Sequence, residues 1–322
     1  MKLHRATKAM ILGASAVVLV YLAVTAMLTL LPREPQESPR PHGQQVLSNY
    51  AFESWVSRES CGRYPAEYRF MPENWTYRTD HMDNLDVYCK SMAMVKSTRF
   101  GNAVVIYREP YHPGLNNEIA YLISHFTKPA SKVTNDTLTV SFLLKLGNST
   151  HPTSQVMLVL MNSEYDAEWF GELWVDQPSD RIIYGWFEPA INYWRWVSYS
   201  TAFTADSWYR IKMSFTFNCT GGPAPQDPSC SPASFGHGRF GRASLRITWE
   251  FQKLGQSWIL IDSKQVDASR IFWLIGIVIG DSGPNGSYSG FGIWAGERDV
   301  DGAWLEPGRR LRSFRAVSST LT

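Results

Sequence analysis

A chain of 322 residues with 44% apolar and 14% aromatic side chains can bury the core of one large domain or two small ones, which excludes a globally disordered protein. Its formal charge of +2 is small for this length, and Lys and Arg are scattered rather than clustered. The electrostatic footprint of a nucleic-acid binder is therefore missing.

The chain opens with Lys2, Arg5 and Lys8 and no acid, then runs uncharged from Ala9 to Leu31. About 20 apolar residues cross a bilayer as a helix, so residues 9–31 are read as a transmembrane helix after a short tail, 1–8. A secretory signal would have a shorter apolar run ending at small residues. Val24, Thr25 and Ala26 could serve as such an end, but the run continues through Met27 to Leu31, which favours an uncleaved anchor. The far flank mixes Arg33, Glu34, Glu37 and Arg40. The positive-inside rule then leaves residues 1–8 in the cytoplasm and residues 32–322 outside the cell or in a lumen. Residues 32–44, which include 32-PREPQESPRPHG-43, are proline-rich and charged and form a stiff spacer between membrane and domain.

From residue 45 to 322 nearly every periodic segment has strand character: 102-NAVVIYRE-109, 138-LTVSFLLKL-146, 155-QVMLVLMN-162, 181-RIIYGWFE-188, 208-WYRIKMSFTF-217, 243-ASLRITWEF-251, 258-WILIDSK-264, 271-IFWLIGIVIG-280 and 290-GFGIWAG-296. These are short, β-branched or aromatic, and separated by Gly, Pro, Asn, Asp and Ser clusters, which predicts one all-β sandwich. In 208–217 the alternation is clear. Tyr209, Ile211, Met213, Phe215 and Phe217 take the core face, and Trp208, Arg210, Lys212, Ser214 and Thr216 the wet one. Sequons at Asn74, Asn135, Asn148, Asn218 and Asn285 agree with an exported, glycosylated surface. The four cysteines fall into two local pairs without metal-ligand spacing, so disulfides Cys61–Cys89 and Cys219–Cys230 are expected, the second closing 219-CTGGPAPQDPSC-230.

The strand opening WYRIK at Trp208, the following amphipathic strand that ends in WEF at Phe251, the late GFGIWAG from Gly290, and the opening 49-NYAFESW-55 resemble the concanavalin A-like lectin and glucanase jelly roll, in particular its laminin-G-like members. The chain departs from that pattern at 311-LRSFRAV-317, where such domains often carry an Asp-Asn pair. The resemblance implies a jelly-roll β-sandwich and a carbohydrate or surface-protein ligand. In that superfamily, retaining glucanases carry E-x-D-x-E on one strand. Glu164, Asp166 and Glu168 match this spacing as nucleophile, supporting acid and acid/base. Tyr165 and Ala167 stand where the family places bulky aliphatics, and a solvated face or a turn at 162-NSEYD-166 is the competing reading.

Aromatic side chains are the other route to sugar recognition, because rings stack on the apolar faces of pyranoses. The segment 184-YGWFEPAINYWRWVSYS-200 is dense in them. With Trp186, Trp194 and Trp196 lining the core at a period of two, Tyr193, Arg195 and Tyr199 would face outward, with Asn192 and Glu188 adding polar contacts. Acidic loops 281-DSGPNG-286 and 299-DVDG-302 could offer oxygens to Ca²⁺ but lack the full pattern of a dedicated loop, and the histidines His81, His112, His125, His151 and His237 form no pair at metal spacing. No cofactor is expected. Three functions stand open: an anchored lectin-like domain binding glycan or a surface protein, an anchored retaining glycoside hydrolase, and a structural subunit of an envelope or membrane complex. If residues 9–31 are an uncleaved anchor, the purified protein will begin at or near Met1 and require detergent for extraction. N-terminal sequencing that starts at Met27 would instead establish cleavage.

Overall fold

The computed structural model describes residues 41–79, 82–107, 119–146, 154–163, 166–188, 191–219, 243–268, 270–281 and 291–308. The apolar run 9–31, most of the spacer, Glu164, Asn148, Asn285 and Cys230 lie outside these residues. Among the described residues no helix is long and apolar enough to cross a membrane.

In chain order the strands are β1 (Gln44–Gln45), β2 (Trp55–Ser57), β3 (Phe70–Pro72), β4 (Thr76–Thr79), β5 (Met92–Thr98), β6 (Gly101–Tyr107), β7 (Ala120–Ser131), β8 (Thr137–Leu146), β9 (Ser154–Ser163), β10 (Asp166–Asp176), β11 (Arg181–Glu188), β12 (Tyr193–Ser200), β13 (Trp208–Cys219), β14 (Ala243–Lys253), β15 (Ile259–Asp267), β16 (Ile271–Asp281), β17 (Phe291–Ala295) and β18 (Gly302–Glu306). One nine-stranded sheet follows the order β15-β14-β13-β8-β17-β6-β5, with β18 also on β8 and β1 on β18. A seven-stranded sheet runs β12-β11-β10-β9-β16-β7-β4. All pairings are antiparallel. Late strands return to the centre: β16 lies between β9 and β7, and β17 and β18 lie against β8. That return makes the sandwich a jelly roll, the arrangement the sequence resemblance implies.

Alternation explains which face of each strand is buried. On β13, Tyr209, Ile211, Met213, Phe215 and Phe217 are buried in the inter-sheet core, and Lys212, Ser214 and Thr216 are half-buried on the opposite face. Arg210 departs from the expected wet face: its side chain is only 2% exposed. The turn before β18 covers it, and its Nε lies 2.9 Å from Asp301 Oδ1, with Glu297 as a second carboxylate partner. Asp301 is itself fully buried and also accepts from Ser141 Oγ at 2.6 Å and from the Glu297 backbone N–H at 2.9 Å. Burial pushes the Asp301 carboxyl up, against the opposing pull of Arg210. This carboxylate is therefore committed to Arg210, which removes it from the Ca²⁺ loop considered for 299–302. Among the described residues no group of three or more His, Cys, Asp or Glu is placed to hold a metal.

Strands β9 and β16 are central, and their apolar runs are buried on both faces. Met157, Val159 and Met161 enter the inter-sheet core, whereas Val156, Leu158 and Leu160 join Tyr121 and Val278 in a second cluster on the outer face of the seven-stranded sheet. The expected Cys61–Cys89 disulfide is present and pins the six-residue helix Leu85–Lys90 to the short turns after β2. Cys219 is disulfide-bonded as well. Of the sequons, Asn74 and Asn218 are exposed. Asn135 is half-buried, and its side-chain oxygen accepts from the Cys219 N–H at 2.7 Å, so this asparagine acts as a clamp between β13 and the turn before β8.

Removing one member of a buried ion pair leaves the other uncompensated, at a cost of about 3–5 kcal/mol. Arg210→Met will accordingly lower stability by about that amount, read from urea unfolding, whereas pairing it with Asp301→Leu will recover most of the loss. A single substitution costing under about 1 kcal/mol would show that Asp301 does not depend on Arg210.

Candidate functional site

The outer face of the seven-stranded sheet gathers aromatic side chains around one buried acid. A β-bulge on β10 shifts the register between Trp169 and Gly171. Phe170 and Gly171 both turn to the core, where a Cβ at position 171 would lie 2.8 Å from the Phe215 ring, so only glycine fits. The bulge changes the phase of the strand. Trp169 and Glu172, three residues apart, thereby share the outer face with Trp174. Trp169 is 40% exposed and meets the Tyr121 ring edge-on at 5.8 Å.

Glu172 pairs in register with Leu158 on β9 and with Gly185 on β11, and Gly185 pairs in turn with Trp196 on β12. These residues form one row across the sheet. A Cβ on Gly185 would lie 2.7 Å from both Glu172 Oε1 and Trp196 Cδ1, so the missing side chain is what lets acid and indole approach each other. Trp196, 54% exposed, stacks on Trp194 with centroids 5.7 Å apart and planes 11° from parallel. Phe187 supports Trp194 from the neighbouring strand at 5.9 Å.

Glu172 is 4% exposed, and its Oε1 has no hydrogen-bond partner. Burial beside Leu158 pushes its carboxyl up to about 7, and the nearby Trp174 indole acts weakly in the opposite direction. The indole is close enough to lower the value, but Trp174 Nε1 lacks hydrogen-bond geometry to any acceptor. A neutral carboxylic acid at this place can donate as well as accept a hydrogen bond.

The expected ligand residues share one face of the β11–β12 hairpin, apart from Asn192 in its turn. Register pairing places Tyr193 opposite Glu188 and Arg195 opposite Trp186, so Tyr193, Arg195, Val197 and Tyr199 share the face of Trp186, which packs on core Trp249 at 5.8 Å. Tyr193 is 55% exposed there, and the Arg195 guanidinium lies 5.5 Å from its ring centroid. Arg195 Nε donates to Glu188 Oε2 at 3.1 Å. Tyr199 packs against the core, and Asn192 occupies the hairpin turn with φ 52°. Trp196 is exposed rather than lining the core as expected, while Trp194, like Trp186, is half-buried against the core. The segment 184–200 is two strands joined by a turn, and the reversal resets the period that one extended strand would have kept.

The E-x-D-x-E reading meets the same kind of break. Strand β9 ends at Ser163, and Asp166, the first residue of β10, pairs with it. Glu164 lies outside the described residues, and Glu168 pairs with Met161. An acid that the fold does bury on the outer face is Glu172. Its signal in the sequence was the flanking pattern of 169-WFGELW-174, a glycine and two tryptophans around a carboxylate, rather than carboxylate spacing.

No family model and no curated relative matches the chain. Among solved structures it is similar to a carbohydrate-binding module from Bacillus subtilis of family 66, at 11% identity over 72% of this chain and 95% of that one, with a TM-score of 0.34. It is also similar to a seed lectin of Lotus tetragonolobus, at 12% identity over 75% of this chain and 97% of the other, TM-score 0.38. An alginate lyase from Pseudomonas aeruginosa matches at 9% identity over 66% of this chain and 85% of the other, TM-score 0.39.

The raised Glu172 carboxyl has a thermodynamic consequence. Below the unfolded value of 4.5 it is protonated in both states; between 4.5 and 7 only the folded state keeps the proton, so stability falls as pH rises through that window. Above it the folded protein carries a cost of up to about 3 kcal/mol. Glu172→Gln will therefore stabilise the protein by about 1–3 kcal/mol at pH 8 and leave it unchanged at pH 4, measured by thermal unfolding. Equal effects at both pH values would show that the carboxyl titrates normally.

Proposed function

We propose that the chain is a membrane-anchored lectin-like protein whose ectodomain, outside the cell or in a lumen, binds glycan through the aromatic outer face formed by β10, β11 and β12. The observation that carries this reading is the row of Glu172, Gly185 and Trp196. A wide, exposed indole stack offers a flat apolar surface to a pyranose ring, and a polar group at its edge offers a hydrogen bond to a hydroxyl, the combination that sugar recognition needs. A wet sheet face would not be expected to leave an indole exposed on a half-buried one beside a buried acid with an unpartnered oxygen. A surface protein is the other ligand class the aromatic patch suits, and an array of glycans run beside a pull-down from cell surfaces separates the two.

Hydrolysis has one specific observation in its favour. A carboxylic acid held near neutral pH by an apolar setting is what a general acid requires. A retaining or inverting mechanism needs in addition a second carboxyl within about 5–10 Å, whereas binding needs only the acid and the indole already described. Binding is therefore the preferred reading.

Trp196→Ala will weaken glycan binding by the full-length protein about tenfold or more, since a central aromatic contact carries over 1 kcal/mol. Tyr193→Ala and Arg195→Ala, on the other face of the hairpin, test the alternative placement of the site. Loss of binding in those two with none in Trp196→Ala would move the site to that face. A β-glucan hydrolysis assay that detects turnover abolished by Glu172→Gln would replace the lectin reading with the enzymatic one.

A further inference from the structure

A second cavity lies on the opposite side of the sandwich, against the outer face of the nine-stranded sheet. Its volume is about 300 Å³, and it is lined by Thr137, Thr139 and Ser141 of β8, Lys212 and Ser214 of β13, and Trp258, with Pro41, His42 and Glu306 at its rim. The sequence accounts for the floor. Outward positions on β8 and β13 alternate as Thr, Thr, Ser and Lys, Ser, Thr, and the register sets them side by side: Thr137 with Thr216, Thr139 with Ser214, Ser141 with Lys212.

The floor is a lattice of hydroxyls. Thr137 Oγ1 donates to Thr216 Oγ1 at 3.3 Å, and Thr139 and Ser214 share a bond of 3.3 Å. Each hydroxyl has one donor and two acceptor positions, so each pair keeps a donor and several lone pairs for a ligand. Lys212 is committed: its Nζ lies 2.8 Å from Glu250 Oε2 and 4.2 Å from the Trp258 ring centroid. The cation is thus neutralised within the protein, and the remaining charge at the rim, Glu306, is acidic. An anionic ligand would meet the Glu306 carboxylate, with the Lys212 charge already shared with Glu250.

We infer that this cavity is a second binding site, for one neutral, polyhydroxylated unit such as an uncharged pyranose, seated on the Thr and Ser hydroxyls against Trp258. The site stands on geometry separate from the aromatic hairpin of the seven-stranded sheet. Two ligands held on opposite faces make one ectodomain bivalent, able to bridge two chains or bind one multivalent surface with an avidity neither site has alone.

The test uses the full-length protein in detergent and a printed array of neutral, sulfated and uronate-bearing oligosaccharides, with wild type, Trp196→Ala, Trp258→Ala, Ser214→Glu and the Trp196→Ala/Trp258→Ala double variant. Trp196→Ala is expected to keep a set of neutral glycans, which bind at least tenfold more weakly in Trp258→Ala and Ser214→Glu and are lost in the double variant. Melting temperatures identify any variant that fails to fold, and Trp258→Ala, a change at the cavity wall, serves if Ser214→Glu does not fold. Binding that vanishes in Trp196→Ala alone and is unchanged in Trp258→Ala overturns the second site and leaves the first. Retained binding of sulfated or uronate glycans only, in Trp196→Ala, overturns the neutral ligand class. An array on which the wild type binds nothing overturns both sites.

Discussion

Trp249 on β14 is the contact on which the two sheets are set. It is fully buried, packs at a tilt against Tyr184 at 5.0 Å and Trp186 at 5.8 Å, and its indole N–H donates to the Glu172 carbonyl at 3.0 Å. Burying an indole of this size stabilises by several kcal/mol, about 25 cal/mol for each Å² removed from water. One side chain of the nine-stranded sheet thus grips the backbone of β10 and the inner face of β11 in the other sheet. Tyr184 extends the grip by donating its hydroxyl to Asp262 on β15 at 2.6 Å. Burial and that bond push the Tyr184 phenol up, so it remains a donor at any ordinary pH. The outer face above this clamp can then hold Glu172 and Trp196 on rigid support, which is what a preorganised site requires.

The two outer faces follow different rules. On the seven-stranded sheet, strands buried on both sides leave no cheap place for a charge, and burial pushes the Glu172 carboxyl up. On the nine-stranded sheet, alternation keeps hydroxyls outward, Lys212 is paired with Glu250 on the next strand, and Arg210 is paired with Asp301 in the turn before β18. Arg210 and Asp301 are buried at an end of the sheet where the turn before β18 folds over the polar face, so their pairing fixes the path of that turn rather than contributing much net stability.

Strands with strict alternation or continuous apolar runs were legible in the sequence: residues 181–188 coincide with β11, and 138–146, 155–162, 208–217 and 271–280 fall within β8, β9, β13 and β16. Strand β7 was not, because 120-AYLISHFTKPAS-131 contains Lys128 and Pro129 and loses the period near its end. β10 and β12 were blurred for another reason. Each follows a tight reversal and carries residues whose faces depend on register, and in β10 also on a bulge, neither of which a single sequence displays. For the same reason the aromatic segment stood out by composition, while the exposed face taken by Trp196 could not be read from a period of two. The Cys61–Cys89 disulfide could be read from local pairing alone. Arg210 could not be placed, since its partners lie about 90 residues downstream, brought back only by the jelly-roll return.

The pairing of β1 with β18 sets a condition on how the domain is made. Gln44 pairs with Leu305 and Gln45 with Trp304, and the Gln45 side chain donates to the Asp301 carbonyl at 2.9 Å and accepts from the Ala303 N–H at 2.8 Å. These bonds join residues 256 and 258 positions apart. Closing a loop of that size costs about 5 kcal/mol of chain entropy before the contact returns anything. The first strand of the domain thus waits, unpaired, until residues 302–306 have been synthesised, and the sheet it completes cannot form progressively before then. With so many long-range partners the domain belongs among slow folders, whose open edges stay exposed for longest. Its biogenesis depends on something that shields those edges until residues 302–306 arrive.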